Sequence, residues 1–177
     1  IEASLSGKLP RLINLSDIKG DLHCHSDWDG GKNSIEELVK AAQKLGYEYL
    51  GIADHTKFLR IEHGLDEAKI IKRNRAIDKI NSPIRILKGV EANILADGSM
   101  DIKDEVLMQL DYVIVGIHSQ MKMPRDQMTE RIIKAMENPN VDILSHPTGR
   151  ILKQRDEYQI DFSQILKTAK DTGTILE

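Results

Sequence analysis

Residues 20–31 read GDLHCHSDWDGG and set His23 and His25 one residue apart at the end of a short apolar run, with acids close behind. In an extended segment side chains alternate in direction, so His23 and His25 face one side and Cys24 the other. Two imidazoles on one side can reach a single metal ion. Cys24 is then a small buried residue, inert toward the metal.

The same ending recurs along the chain. YEYLGIA (47–53), IRILKGV (84–90), DYVIVGI (111–117), VDILS (141–145) and GTILE (173–177) are short, aliphatic and β-branched, the pattern of strands buried on both faces of a parallel sheet. Helical periods fall between them. Ser34 leads Ile35, Leu38, Val39, Ala42 and Leu45, with Glu37 three residues after the serine and Gly46 at the end, which predicts a capped amphipathic helix. Residues 65–80, 125–137 and 161–171 carry further helical patterns. Alternating strands and helices mean an α/β fold. Directly after the apolar runs come Asp54-His55, Glu91, His118 and His146. In a barrel of parallel strands all carboxyl ends open on one face, and chemistry is built there from residues far apart in sequence. Five of the six histidines obey this rule. His63 follows no strand run and is expected in a surface or loop role.

Imidazole nitrogens and carboxylate oxygens without a thiolate suit Zn, Mn, Fe or Co and argue against a closed structural zinc site. More than four converging ligands imply more than one ion, and adjacent ions about 3.5–4 Å apart clamp the attacking and leaving oxygens of a phosphoryl displacement. The natural chemistry is hydrolysis of a phosphate ester, with no protein nucleophile needed. The totals set bounds on this. A chain of 177 residues, 40% hydrophobic, suits one globular domain, and a net charge of −3 provides no overall basic field. With one cysteine there is no internal disulfide, and no apolar run approaches membrane-spanning length, so the expected setting is the cytoplasm, without a membrane partner.

DLHCHS, IADHT, GVEANI, VGIHS and SHPTGR, in this order and at these intervals, resemble the signature motifs of the polymerase and histidinol phosphatase (PHP) domain superfamily. The opening IEASLSGKLPRLINLSDIKGDLHCHS further resembles the segment joining the polymerase core to the carboxyl-terminal PHP domain of bacterial and archaeal family X DNA polymerases. The resemblance implies a distorted (β/α)7 TIM-like barrel of PHP type. Residues 1–19 are then a linker from a preceding polymerase core, and 20–177 the metal-dependent phosphoesterase domain. Three divalent ions are implied, Mn or Zn with Fe or Co as alternatives, on His23, His25, His55, Glu91, His118 and His146, with Glu91 bridging. The implied activity is 3′–5′ exonuclease or other 3′-end processing in DNA repair synthesis, with DNA 3′ ends and the polymerase core of the same parent chain as partners. Two departures stand out. HSTWSDG in the family places an aspartate before the glycine, whereas HSDWDGG has Gly30 there and its acid at Asp29, which is expected to swing in as a ligand. The family's last two ligands, an Asp and a His one residue apart, lie beyond Glu177, so the domain is expected to be truncated at its carboxyl end and impaired in activity.

Outside these motifs, Arg150 in SHPTGR and Lys57, two residues after His55, are candidate phosphate contacts. Asp54 is expected to orient a neighbour rather than bind metal. Trp28 either stacks on a terminal base or packs under its loop. Between Arg60 and Lys88 eight Lys or Arg stand against four acids, either a solvated helix face or a guide for a DNA backbone. Three functions are compatible with this pattern: a nuclease acting on DNA ends, a small-molecule phosphatase of the histidinol phosphatase kind, and a domain that chiefly supports a polymerase core.

Overall fold

The computed structural model describes residues 1–177. Seven strands are formed: β1 (Gly20–Cys24), β2 (Tyr49–Ile52), β3 (Arg85–Lys88), β4 (Glu91–Asn93), β5 (Ile114–Gly116), β6 (Ile143–Leu144) and β7 (Ile175–Leu176). The helices are α1 (Glu2–Leu5), α2 (Ile35–Lys44), α3 (Glu67–Ile77), α4 (Asp104–Leu107), α5 (Arg125–Met136) and α6 (Phe162–Thr172). All strand pairs are parallel, in the orders β1-β2-β3 and β4-β5-β6-β7.

The two sheets are one surface with a seam. β3 and β4 are a single run of chain broken at Gly89-Val90, and backbone bonds continue across the break, from Gly89 N–H to the Ile52 carbonyl (2.9 Å) and from Glu91 N–H to the Asp54 carbonyl (3.1 Å). Six segments therefore cross the sheet in sequence order. The surface curls. The Tyr112 hydroxyl, just before β5, donates to the Leu22 carbonyl of β1 at 2.6 Å, although β1 and β5 are not neighbours in the sheet. No backbone pairing joins β1 to β7. The fold is thus a curved parallel α/β sheet, consistent with a TIM-like barrel.

Helix ends follow the local chemistry. Ser34 and Glu37 form a reciprocal cap at the start of α2, the Ser34 N–H donating to Glu37 at 2.9 Å, and Ile35, Val39 and Ala42 bury one stripe against β2. Asp66 caps α3 and Asp161 caps α6, which ends at Gly173 in the left-handed region, φ 80°. The main core lies under β4, β5 and β6, closed by Met128, Ile132 and Met136 of α5 and Ile165 and Ala169 of α6.

One polar pair is sealed inside. Arg73 on α3 donates from Nη1 to Asp54 Oδ2 (2.9 Å) and from Nη2 to the Gly89 carbonyl (2.6 Å), and both side chains are fully buried. It fastens a helix to the β3–β4 break and to the residue before His55. Removing one partner strands a buried charge. Arg73→Met is expected to cut the unfolding free energy by roughly 3–5 kcal/mol, measured by urea denaturation, while the exposed Lys72→Met stays within about 0.5 kcal/mol of wild type.

Candidate metal centre

Glu91 opens β4, on the run that forms the seam, and its carboxylate is 2% exposed. Five imidazoles surround it. His23 Nε2, His25 Nε2 and His55 Nδ1 lie 3.2, 3.6 and 3.0 Å from Oε2, and His118 Nε2 and His146 Nε2 lie 3.3 and 2.8 Å from Oε1. They arrive as the chain order of the strands requires. His23 lies within β1, where the register slips between Asp21 and Cys24, a bulge that re-aims the strand beside the site. His55 follows β2 and pairs across the seam with Glu91; His118 and His146 each sit two residues past β5 and β6. Sequence reasoning put each of these donors behind a strand, but His23 belongs to one and Glu91 begins one. The break at Gly89-Val90, invisible in an unbroken apolar run, accounts for the second difference.

The protonation pattern of this cluster is unusual. His23 Nδ1 meets Glu177 Oε1 (2.8 Å), His25 Nδ1 meets Asp29 Oδ2 (2.8 Å) and His118 Nδ1 meets Asn93 Oδ1 (2.6 Å). The Asn93 amide nitrogen is committed to Thr56 and Asp101, so its oxygen is the atom facing His118. His23 and His118 therefore have an oxygen facing both ring nitrogens, and a neutral imidazole has one proton to donate, whereas His25 Nε2, 3.6 Å from Glu91, is out of hydrogen-bond reach. Satisfying both ends by protonation would crowd positive charges whose ring centres, from His23 through His25 and His55 to His118 and His146, are 4.3–5.3 Å apart. A divalent cation between the inner nitrogens and Glu91 resolves the conflict, with the outer hydrogen bonds fixing each tautomer. The buried His55 Nδ1 adds to this fit: although 3.0 Å from Glu91 it makes no hydrogen bond. Three donor sets are close enough to bind an ion, His23-His25-Glu91, His25-Asp29-His55 and His55-Glu91-His118.

Electrostatics agree. Burial alone would raise the Glu91 carboxyl, but the facing imidazoles of His118, His146, His23 and His55 hold it far below the usual carboxylate range. Burial alone would lower His23, yet Glu91 and then Glu177 lift it to about 9. Asp29, also buried, is kept below its ordinary value by His25 and the His55 and Gly31 amides.

Residues 21–177 match the PHP domain family. The chain belongs to that family. It is 43% identical over 94% of its length to the DNA polymerase/3′-5′ exonuclease PolX of Bacillus subtilis, and 30% identical over 89% to a probable phosphatase of Acetivibrio thermocellus. A probable phosphatase of Syntrophotalea carbinolica is 28% identical over 89%. The chain spans 30% of the PolX sequence and 63% of each of the two phosphatases.

Other residues of this PHP domain fall into place around the cluster. Asp29 reaches it from behind the His25 ring, its Oδ1 held by the Gly30 and Gly31 amides (2.5 and 3.0 Å). Asp54 touches no imidazole and instead accepts from Ser26 N–H (2.6 Å), fixing the residue after His25. Lys57 pairs with Glu67 at 2.6 Å, and Arg150 is exposed without an ion pair; neither contacts the cluster. Trp28 is half-buried against both larger apolar clusters. His63 is exposed and closes a short turn in the left-handed region, φ 54°. Cys24 packs beside the α2 cluster, and burial pushes its thiol up to about 12. The basic run is partly neutralised: Arg73 is buried on Asp54, Lys88 pairs with Asp78 and Arg85 with Asp111.

Four supporting residues carried no sequence signal of their own: Glu177, Asn93, Ser145 and Gly116. Glu177 spans the open edge, accepting also from the His146 N–H (3.2 Å). Ser145 Oγ lies 3.0 Å from Glu91 and 3.1 Å from His146 Nε2. A Cβ on Gly116 would stand 2.8 Å from the His146 ring and 3.0 Å from the His118 ring, so only glycine leaves both in place.

Glu177→Ala removes an outer support without emptying the core, and is expected to weaken Mn affinity roughly 10–100-fold in isothermal titration with the unfolding midpoint almost unchanged. His23, raised from 6.5 to about 9, stabilises the metal-free fold fully below pH 6.5 and loses that contribution as pH climbs through about 9. Metal competes for the same nitrogen. Mn uptake at pH 7 should therefore release protons, and affinity should rise to about pH 9 and then level off; affinity flat from pH 7 to 9 would contradict the assignment.

Proposed function

We propose that this PHP domain is a divalent-metal-dependent phosphoesterase that trims DNA 3′ ends as a 3′–5′ exonuclease or 3′-end processing domain beside a polymerase core in the same chain. The observation that carries the hydrolytic part is the buried carboxylate ringed by five imidazoles, three of which, His23, His25 and His118, have a partner on the outer nitrogen. We take His23, His25, Asp29, His55, Glu91, His118 and His146 as the metal-holding set, three ions in all, with Mn or Zn ahead of Fe or Co. When bound, such ions make hydroxide available near neutral pH and neutralise charge on the phosphoryl oxygens.

The chain's own residues prepare that chemistry. Glu177, Asp29 and Asn93 keep the outer protons on His23, His25 and His118, which leaves the inner nitrogens free as donors. Ser145 Oγ reaches both the Glu91 carboxylate and the His146 ring. Arg150, exposed four residues after His146, is positioned by sequence to meet a phosphate, and Lys57 can do so only by leaving Glu67. DNA as substrate is supported by the likeness to PolX across 94% of the chain. The phosphatase relatives support a second reading, hydrolysis of a small phosphomonoester such as histidinol phosphate, because the metal-holding residues do not encode substrate size.

The deciding assay supplies Mn and compares nucleotide release from a 3′-recessed DNA with phosphate release from histidinol phosphate. Turnover of the DNA, lost at least 100-fold in Glu91→Gln (a drop of about 2.7 kcal/mol in barrier stabilisation), is the expected result. Preference for histidinol phosphate would favour the second reading, and turnover of neither would leave a domain that supports a polymerase core.

A further inference from the structure

Beside the metal centre, two loops flank a separate, open concavity of about 710 Å³. Lys57, Phe58 and Arg60, following β2, form one wall, and Leu95, Met100 and Lys103, following β4, form the other. Both loops leave the carboxyl ends of their strands, the end from which His55 and the other donors project.

Phe58 is one of two phenylalanines in the chain and remains 45% exposed. A single exposed apolar residue is ordinary; an aromatic one whose backbone is anchored beside unpaired cations is not. The Phe58 N–H donates to Asp101 Oδ2 at 2.9 Å. Asp101 is buried and also accepts from the Thr56 hydroxyl (2.7 Å) and the Asn93 N–H (3.0 Å). Thr56 follows His55, and Asn93 carries the outer nitrogen of His118 at 2.6 Å. One buried carboxylate thus sets both the aromatic wall and the support of a metal-facing imidazole. On the opposite wall, buried Arg131 fixes the Leu95 carbonyl at 2.8 Å and the Ile94 and Ser119 carbonyls. Lys57 is tied to Glu67, whereas Arg60 and Lys103 are exposed and have no acidic partner.

An aromatic face over an aliphatic floor, flanked by two free cations, fits a flat ring carrying negative charge at its edge. We propose that this pocket is a nucleobase subsite: Phe58 stacks on the base of the nucleotide next to the cleaved phosphoester, and Arg60 and Lys103 take the flanking phosphates. Stacking tolerates any base because each has a π-face, so the subsite selects nucleotides without reading sequence. The identity of the ligand as a strand rests on the proposed DNA phosphoesterase function. The pocket's affinity for a base does not require hydrolysis.

The test uses the whole chain in EDTA, so that nothing is cleaved, with two fluorescent probes: a DNA trinucleotide ending in 3′ 2-aminopurine, and free 2-aminopurine nucleoside monophosphate. Wild type should quench the trinucleotide and bind it more tightly than the monophosphate. Phe58→Ala should abolish the quench and weaken binding about ten-fold or more, with an unchanged unfolding midpoint, and Phe58→Tyr should restore both. The Arg60→Ala, Lys103→Ala pair should flatten the dependence of affinity on salt. No quenching by wild type, or equal quenching by Phe58→Ala, overturns the subsite; monophosphate binding as tight as trinucleotide binding overturns its assignment to a strand. A protein that quenches as expected yet hydrolyses neither DNA nor histidinol phosphate with Mn leaves the subsite standing and removes the phosphoesterase reading.

Discussion

A carboxylate withdrawn from water is costly unless opposite charge reaches it, and the buried Glu91 carboxylate is the point on which this architecture turns. The groups that compensate it come from four crossings of the sheet: His23 and His25 at the end of β1, His55 after β2, His118 after β5 and His146 after β6. The site is therefore a readout of strand register. Glu91 faces Ile114 on one side and bridges to His55 on the other, and a slip of one residue in either pairing would turn the carboxylate away from the rings. Fold and site cannot be varied independently.

Around this centre the protein spends its polar groups on orientation. Asp29, Asn93 and Glu177 each hold the far nitrogen of one ring, and each is itself held, Asp29 by two glycine amides and Asn93 by Thr56 and Asp101. Backbone strain is tolerated for the same purpose. His146 adopts φ 30°, a conformation costing of order 1–3 kcal/mol, with its N–H on Glu177 and its ring on Glu91. Gly116 supplies the missing volume next to it. Arg73 and Asp54 anchor the same rim from below, through Ser26 and the Gly89 carbonyl.

Much of this was legible in the residues. The alternation that points His23 and His25 one way, the cap at Ser34, and the habit of placing a donor near each strand end are local rules, and local rules can be read from a linear sequence. Glu177 looked only like the end of an apolar run, and Asn93 and Gly116 like ordinary strand residues, because their roles depend on neighbours 154, 25 and 30 positions away. Arg73 belongs by sequence to the basic run between Arg60 and Lys88, because helical spacing does not say which face meets a buried Asp54. Asp29 was expected to act as a ligand by position; its carboxylate lies within reach of the cluster and also braces His25, a double use that spacing cannot express. The Gly89-Val90 seam has no sequence signal, since a strand that changes partners keeps the same hydrophobic pattern.

The most direct test of the central claim is anomalous diffraction at the manganese edge from crystals grown with Mn. The account predicts strong peaks bounded by Glu91 and the imidazoles of His23, His25, His55 and His118. Manganese confined to surface carboxylates, with no peak beside Glu91, would contradict it.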